Sequence, residues 1–408
     1  MFRPFFLLAL AAASSLVVTA QTYGKGFTGK KVLSAYFPSY QMSPADVPYA
    51  KYTHLDYFVF TTTPSASAIS QAGIDDSLIR DFVSRAHKAG VTVSYTVGGW
   101  TGSQHFSTHV ATATSRNTFA RTLVAVMQQY GFDGIDIDWE YPGSQGQGDN
   151  VVSPSDAANL LLFLQTLRSV AGIDTRLSMD VPPEGIIGAN GAPLADLSGY
   201  AAVLDYLTVM TYDMTGTWSG FTGPNSPWSA GCAPPSNPFS ISSAISKMQG
   251  AGFKGNHILI GLPNYAYAYW VKRPYTQRTC PDGTTTIDYQ FATSGSTCGS
   301  YIGTNGQYLY RELVAKNYFK PSSGFRKIQE AKYAHAWTLY NPTTSEFIST
   351  DAPGTIWFKA RQAFQYRLAG VNFFDASGDT SDGRMAQAAR YGLLIDPIGS
   401  LTYSTYTL

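Results

Sequence analysis

Charge is scarce in this chain of 408 residues: only 13% of positions are Asp, Glu, Lys or Arg, and 28 basic residues face 27 acidic ones. No Lys/Arg cluster stands out, which argues against nucleic acid as a partner. Histidine is sparse at six, and no His/Cys grouping has metal-ligand spacing, so neither a metal nor another cofactor is expected. Cysteine is rarer still. With Cys232, Cys280 and Cys298 alone, an oxidising compartment leaves one thiol unpaired or bridging to another chain. Cys280 and Cys298 share a Gly/Thr-rich segment and are the expected disulfide, with Cys232 free, although the sequence allows any of the three pairings. Beyond the N-terminus no run reaches about eighteen uninterrupted apolar residues, so no membrane span is expected. No Asn-x-Ser/Thr acceptor with a permitted middle residue occurs, so N-glycosylation is not expected either.

What is present begins with Met1-Phe2-Arg3-Pro4, an apolar run from Phe5 to Leu10, and Val18-Thr19-Ala20 before Gln21. A basic start, a short apolar centre and small residues before the break predict a cleaved secretory signal over 1–20 and an extracellular mature protein over 21–408. A monomer is expected. Aromatics make up 14% of the chain, with 27 Tyr and 7 Trp. That excess suits a large core, and it also suits sugar binding, where pyranose C–H faces pack on rings.

The most informative stretch is Phe132-Asp133-Gly134-Ile135-Asp136-Ile137-Asp138-Trp139-Glu140-Tyr141-Pro142. The apolar members favour a buried strand. Side chains alternate along a strand, so Asp136, Asp138 and Glu140 share one face while Ile135, Ile137 and Trp139 take the other. Asp133 has the wrong parity and belongs at the strand entrance. Three carboxylates on one face of a buried strand repel unless they share protons or bind something, which marks a functional site. A solvated edge strand would not need Ile, Ile and Trp behind it. A calcium loop would carry its ligands around a Gly-rich turn.

Strand-like runs recur at Val32–Phe37, His54–Phe60, Val91–Val97, Gly134–Glu140, Leu177–Val181, Tyr206–Tyr212, Ile258–Pro263 and Val371–Asp375. Helical patterns fall between them, at Asp76–Ala89, Ser115–Tyr130 and Ser155–Val170 among others. Eight alternating units argue for a closed α/β barrel, the TIM (β/α)8 fold, over an open doubly wound sheet. About a hundred residues separate the seventh and eighth runs, far more than one loop and helix need.

Asp133-x-x-Asp136-x-Asp138-x-Glu140 resembles the signature of glycoside hydrolase family 18, the retaining chitinases and their relatives. The resemblance implies a (β/α)8 barrel with this strand as the fourth and Glu140 as proton donor at its C-terminal rim. It also implies a small α+β domain inserted before the eighth strand, within about 270–345, walling a substrate cleft. Thr96-Val97-Gly98-Gly99-Trp100 resembles the Ser-x-Gly-Gly motif of the third strand, and Met210-Thr211-Tyr212-Asp213 the Met-x-Tyr-Asp of the sixth. By that likeness Tyr212 and Asp213 serve the acetamido group of the −1 sugar, and Trp218 packs on the leaving sugar. Tyr36, Gly98, Gly99, Trp100, Tyr141 and Met210 join the substrate site by the same likeness, as does Tyr265, with Ala266-Tyr267 where the family's Gly-Arg usually follows. Phe374 stands where the family commonly carries the Trp that floors the −1 sugar.

The implied activity is hydrolysis of chitin or chito-oligosaccharides assisted by the substrate's own N-acetyl group. Glu140 protonates the leaving oxygen, Asp138 holds the acetamido N–H, and Asp136 relays charge to Asp138. Such a carboxylate cluster should titrate as a unit and raise Glu140. Two alternatives share the fold: an endo-β-N-acetylglucosaminidase acting on N-glycans, and a catalytically weak chitin-binding lectin. The terminal Glu of the motif speaks against the lectin, and the long insertion with Trp218 favours a linear chitin cleft.

Overall fold

In a computed structural model, residues 29–71, 73–220, 222–231, 239–272, 276–279, 285–288, 297–298, 306–329 and 334–397 are described. All eight expected strands form: Val32–Pro38, His54–Thr62, Thr92–Gly98, Gly134–Asp138, Arg176–Val181, Tyr206–Val209, Ile258–Pro263 and Gly370–Phe374. Each is parallel to the next, and the eighth pairs back onto the first from Val32↔Gly370 to Ala35↔Phe373. The result is a closed eight-stranded barrel with helices outside it. Local signals set the ends of the long helix before the acid strand. Thr112 and Ser115 form a reciprocal capping box ahead of Ala113–Tyr130, and Gly131 ends that helix at φ 78, in the left-handed region glycine tolerates.

Strand parity decides which layer each residue enters. Ile135, Ile137 and Trp139 face outward into the main core with Phe119, Leu123, Leu160 and Phe163 from the flanking helices. Trp139 stacks on Phe106 at 5.2 Å between ring centroids. Removing each Ile from water stabilises the fold by roughly 1.5–3 kcal/mol. The interior of the barrel is polar instead. The Asn372 amide donates to Ser34 Oγ at 2.8 Å, His54 contacts Asp56 at 3.0 Å, and the Thr96 and Ser178 hydroxyls both donate to Asp136.

Between the seventh and eighth strands a five-stranded antiparallel sheet is inserted, in the order Gln307–Leu309, Tyr265–Trp270, Glu346–Thr350, Trp337–Asn341, Arg326–Gln329. A short helix, Tyr310–Ala315, follows its edge strand. The sheet runs from Tyr265 to Thr350, against the expected 270–345. Tyr265 therefore opens the insertion and does not extend the seventh strand. The Tyr265-Ala266-Tyr267-Ala268-Tyr269 alternation explains the placement: the alanines pack into one small core with Leu339 and Ile348, the tyrosines into another with Tyr212 and Phe347. Ser349 Oγ accepts from the Asn225 N–H at 2.8 Å. At the sheet's exit the buried Lys359 ammonium contacts both oxygens of Asp351 at 2.7 Å.

The expected Cys280–Cys298 disulfide rests on a cysteine outside the described residues. Cys298 is a free thiol hydrogen-bonded to Glu346, and Cys232 and Cys280 lie outside the described residues. The expected signal, 1–20, lies outside them as well. No helix among the described residues is long and apolar enough to cross a membrane.

Candidate active site

The C-terminal ends of the barrel strands carry the site. The fourth strand stops at Asp138, and Trp139 and Glu140 continue it onto the rim. Asp136 and Asp138 are buried, while Glu140 is partly exposed. Asp133 lies at the opposite end, exposed, where its carboxylate accepts from the Val93 N–H at 2.8 Å and contacts His87 at 2.9 Å. It anchors the strand entrance and is remote from the other three acids.

Backbone supports aim the acids. The Ser103 hydroxyl donates to the carbonyls of Gly99 (2.8 Å) and Asp138 (3.1 Å) and accepts the Glu140 N–H at 3.1 Å. The Asn150 amide donates to the Glu140 carbonyl at 2.7 Å. Gly98, at φ 118, lies so close that a Cβ there would meet the Asp138 carbonyl oxygen at 2.0 Å. The paired glycines thus bring the third strand's exit against the acid strand, with the Gly99 N–H donating to the Asp138 carbonyl at 2.8 Å. Three peptide bonds at this rim are cis: Phe58–Val59, Glu140–Tyr141 and Phe374–Asp375.

Burial raises every acid of the cluster. Asp136 is pushed up to about 6 by burial and by Asp56, against the hydroxyls of Ser178 and Thr96. Asp138 is held well above the usual carboxylate range by burial, then by Glu140 and Asp136. Glu140 is pushed up to about 7 by burial, with Asp213 adding to it and a hydrogen bond to Tyr141 opposing it. The Oδ1 of Asp138 is buried with no hydrogen-bond partner among the described residues.

Aromatic rings enclose the acids. Phe374, partly exposed, sits among Phe58 (5.5 Å), Tyr36 (5.6 Å), Tyr212 (5.8 Å) and Tyr265 (6.2 Å). Met210, Tyr212, Tyr265 and Tyr141 pack in the same cluster. The sixth strand ends at Val209, and Asp213 adopts a left-handed φ of 56 with its N–H donating to Asn225 Oδ1 at 2.7 Å. Tyr265 and Tyr267 both donate to Asp213 Oδ1, the latter at 2.9 Å. Tyr267 also meets Trp218 edge-on at 5.7 Å. Trp218 and Trp100 stand 57% and 51% exposed, large apolar faces open to solvent. Tyr36 is buried, with its hydroxyl donating to Asp180 at 2.6 Å and its ring 5.6 Å from that of Phe374.

The sequence reading missed Asp180, Ser103, Asn150 and Ser178. Ser178 and Asp180 share the inward parity of the fifth strand, the one signal that could have placed Asp180 beside Asp136. Among the described residues no group of three His, Cys, Asp or Glu side chains is placed to hold a metal ion.

The sequence profile of the Glycosyl hydrolases family 18 matches residues 32–379. The chain belongs to that family. Similar curated proteins include a chitinase-like effector of Moniliophthora roreri, 30% identical over 89% of this chain and 93% of its own length, and one of Moniliophthora perniciosa, 32% identical over 87% and 85%. The crystal structure of a chitinase from Rhizomucor miehei matches at a TM-score of 0.81 and 25% identity, covering 89% of this chain and all of that one. As a family 18 glycosyl hydrolase, the chain is a glycosidase, and its acid cluster lies at the barrel face where such enzymes carry their chemistry.

Proposed function

We propose that this family 18 hydrolase cleaves β-1,4 links between N-acetylglucosamine units of chitin, with retention of configuration and with the substrate's acetamido oxygen as nucleophile. The observation that carries this reading is the pairing of Glu140, an acid raised to about 7 on the rim, with Asp138, whose buried Oδ1 has no donor among the described residues. Glu140 protonates the glycosidic oxygen. Asp138 accepts the acetamido N–H, orients the carbonyl oxygen toward the anomeric carbon and stabilises the oxazolinium cation that forms. Tyr212, next to Asp138 and Glu140, offers a hydroxyl to the same group. Phe374 floors the −1 sugar, and Trp218 with Trp100 takes neighbouring sugars on their faces. The names of the similar chitinases support the substrate. The N-terminal signal pattern supports secretion, and the cleft works in a single chain.

Substrate assistance has a direct test. N-acetylated chito-oligosaccharides should be cleaved and fully deacetylated chitosan should not; efficient cleavage of the latter would overturn it. A second reading, a secreted effector that binds chitin with little turnover, draws on the names of the two Moniliophthora relatives. Retention of Glu140 favours the enzyme.

A further inference from the structure

The cluster holds acids the motif does not supply: Asp56 from the second strand, whose charge raises Asp136, and Asp180 from the fifth. Asp180, on the fifth strand, is 3% exposed. Its Oδ1 accepts the Tyr36 hydroxyl at 2.6 Å, and its Oδ2 is buried with no donor among the described residues. Its carboxyl also lies within hydrogen-bonding reach of the Asp136 carboxyl. Two carboxylates have only acceptors to offer each other, so that contact exists as a hydrogen bond only when one of the pair carries a proton. Asp136 already takes hydroxyls on both of its oxygens, from Ser178 at 2.6 Å and Thr96 at 2.9 Å. Asp180 takes only one, so the proton belongs on Asp180. Its other titratable neighbours give no contrary charge: Tyr36 from the first strand, Asp138 from the fourth and Tyr212 from beyond the sixth are all acids. No cation lies among them.

We propose that Asp180 is a positioning residue of this active site: as a neutral carboxylic acid it donates to Asp136, so that Asp136 stays ionised without drawing a proton from Asp138. With Asp136 satisfied by three donors, the Asp138 side chain is released toward Glu140 and the acetamido N–H. No bond to substrate forms or breaks at Asp180, and its proton stays on it through the cycle.

The kinetic arm of the test rests on the reading of the chain as a chitinase; the spectroscopic arm does not. In full-length protein carrying 13C-carboxyl aspartate, the Asp180 resonance, assigned by its loss in Asp180→Asn, should remain that of a protonated acid through neutral pH. Titration near the ordinary value of about 4 would overturn the proposal whatever the substrate. With chito-oligosaccharide, Asp180→Ala should lower kcat about ten- to a hundredfold, the worth of one hydrogen bond to a charged group. KM should change much less, and the acid limb of the pH profile should move to higher pH because Asp136 has lost a donor. Asp180→Asn keeps a donor toward Asp136 and an acceptor for Tyr36, so it should rescue most of the loss and leave the acid limb in place. An Asn variant as poor as Ala would refute the proposal. So would one whose acid limb shifts to lower pH, since that would mean a negative charge had been removed. Should Asp180→Ala fail to fold, the titration and the Asn variant still decide.

Discussion

Replacing Phe374 by Ala separates sugar stacking from core packing. The Phe374 ring touches four aromatic neighbours at 5.5–6.2 Å between centroids, yet it keeps an open face. Truncating a fully buried Phe costs about 3–5 kcal/mol. With part of the ring in solvent the lower figure applies, about 3 kcal/mol, a fall in Tm of roughly 4 °C for a chain this size. Such a loss leaves the protein folded at room temperature. Turnover should nevertheless collapse, because the ring packs on Tyr36 and Tyr212, both of which face the acids, and a sugar lying on it would be positioned for Glu140. Phe374→Trp restores a face and enlarges it, at a packing cost of about 1–3 kcal/mol against Tyr36, Phe58, Tyr212 and Tyr265. The assay is kcat and KM on chito-oligosaccharides beside a thermal melt for each variant. If the Ala protein melts lower but its folded fraction turns over normally, the ring is only core and the sugar-floor assignment fails.

Three further outcomes follow from charge. Because Glu140 must be protonated to act and is raised to about 7, kcat should fall as pH rises through about 7; a plateau to pH 9 would contradict its role as acid. The same raised carboxyls make folding take up protons, so their contribution to stability is complete below about 4 and is lost between about 4 and 7; a Tm that rises across that window would contradict the burial of the cluster. Lys359→Ala strands the buried Asp351 carboxylate with Thr355 as its remaining side-chain partner and should cost about 3–5 kcal/mol by denaturant titration, while activity per folded molecule stays normal.

The barrel was legible because each strand is a buried run bounded by helical patterns, and the three-acid face because parity on a strand is strict. The ends of elements were not. The sixth strand stops three residues short of Tyr212, since Asp213 turns left-handed onto Asn225, and no local propensity signals a side-chain cap twelve residues on. Tyr265 lies just two residues past the seventh strand, and the Tyr/Ala alternation from Tyr265 to Tyr269 is the cue that a second sheet begins there. Asp180 was invisible for a different reason. A lone acid in Ser178-Met179-Asp180-Val181 is unremarkable until the neighbouring strand places Asp136 beside it. Ser103 and Asn150 act on backbone carbonyls of the acid segment, a role that any loop Ser or Asn could hold.

The central claim is that Glu140 delivers the proton to the leaving sugar. Glu140→Gln keeps the shape of the side chain and removes only the transferable proton, so hydrolysis of a chito-oligosaccharide should fall by at least ~10²–10⁴ while calorimetric binding of the same oligosaccharide persists. Turnover by the Gln variant close to that of the unmodified protein, at any pH between 4 and 8, would contradict the account.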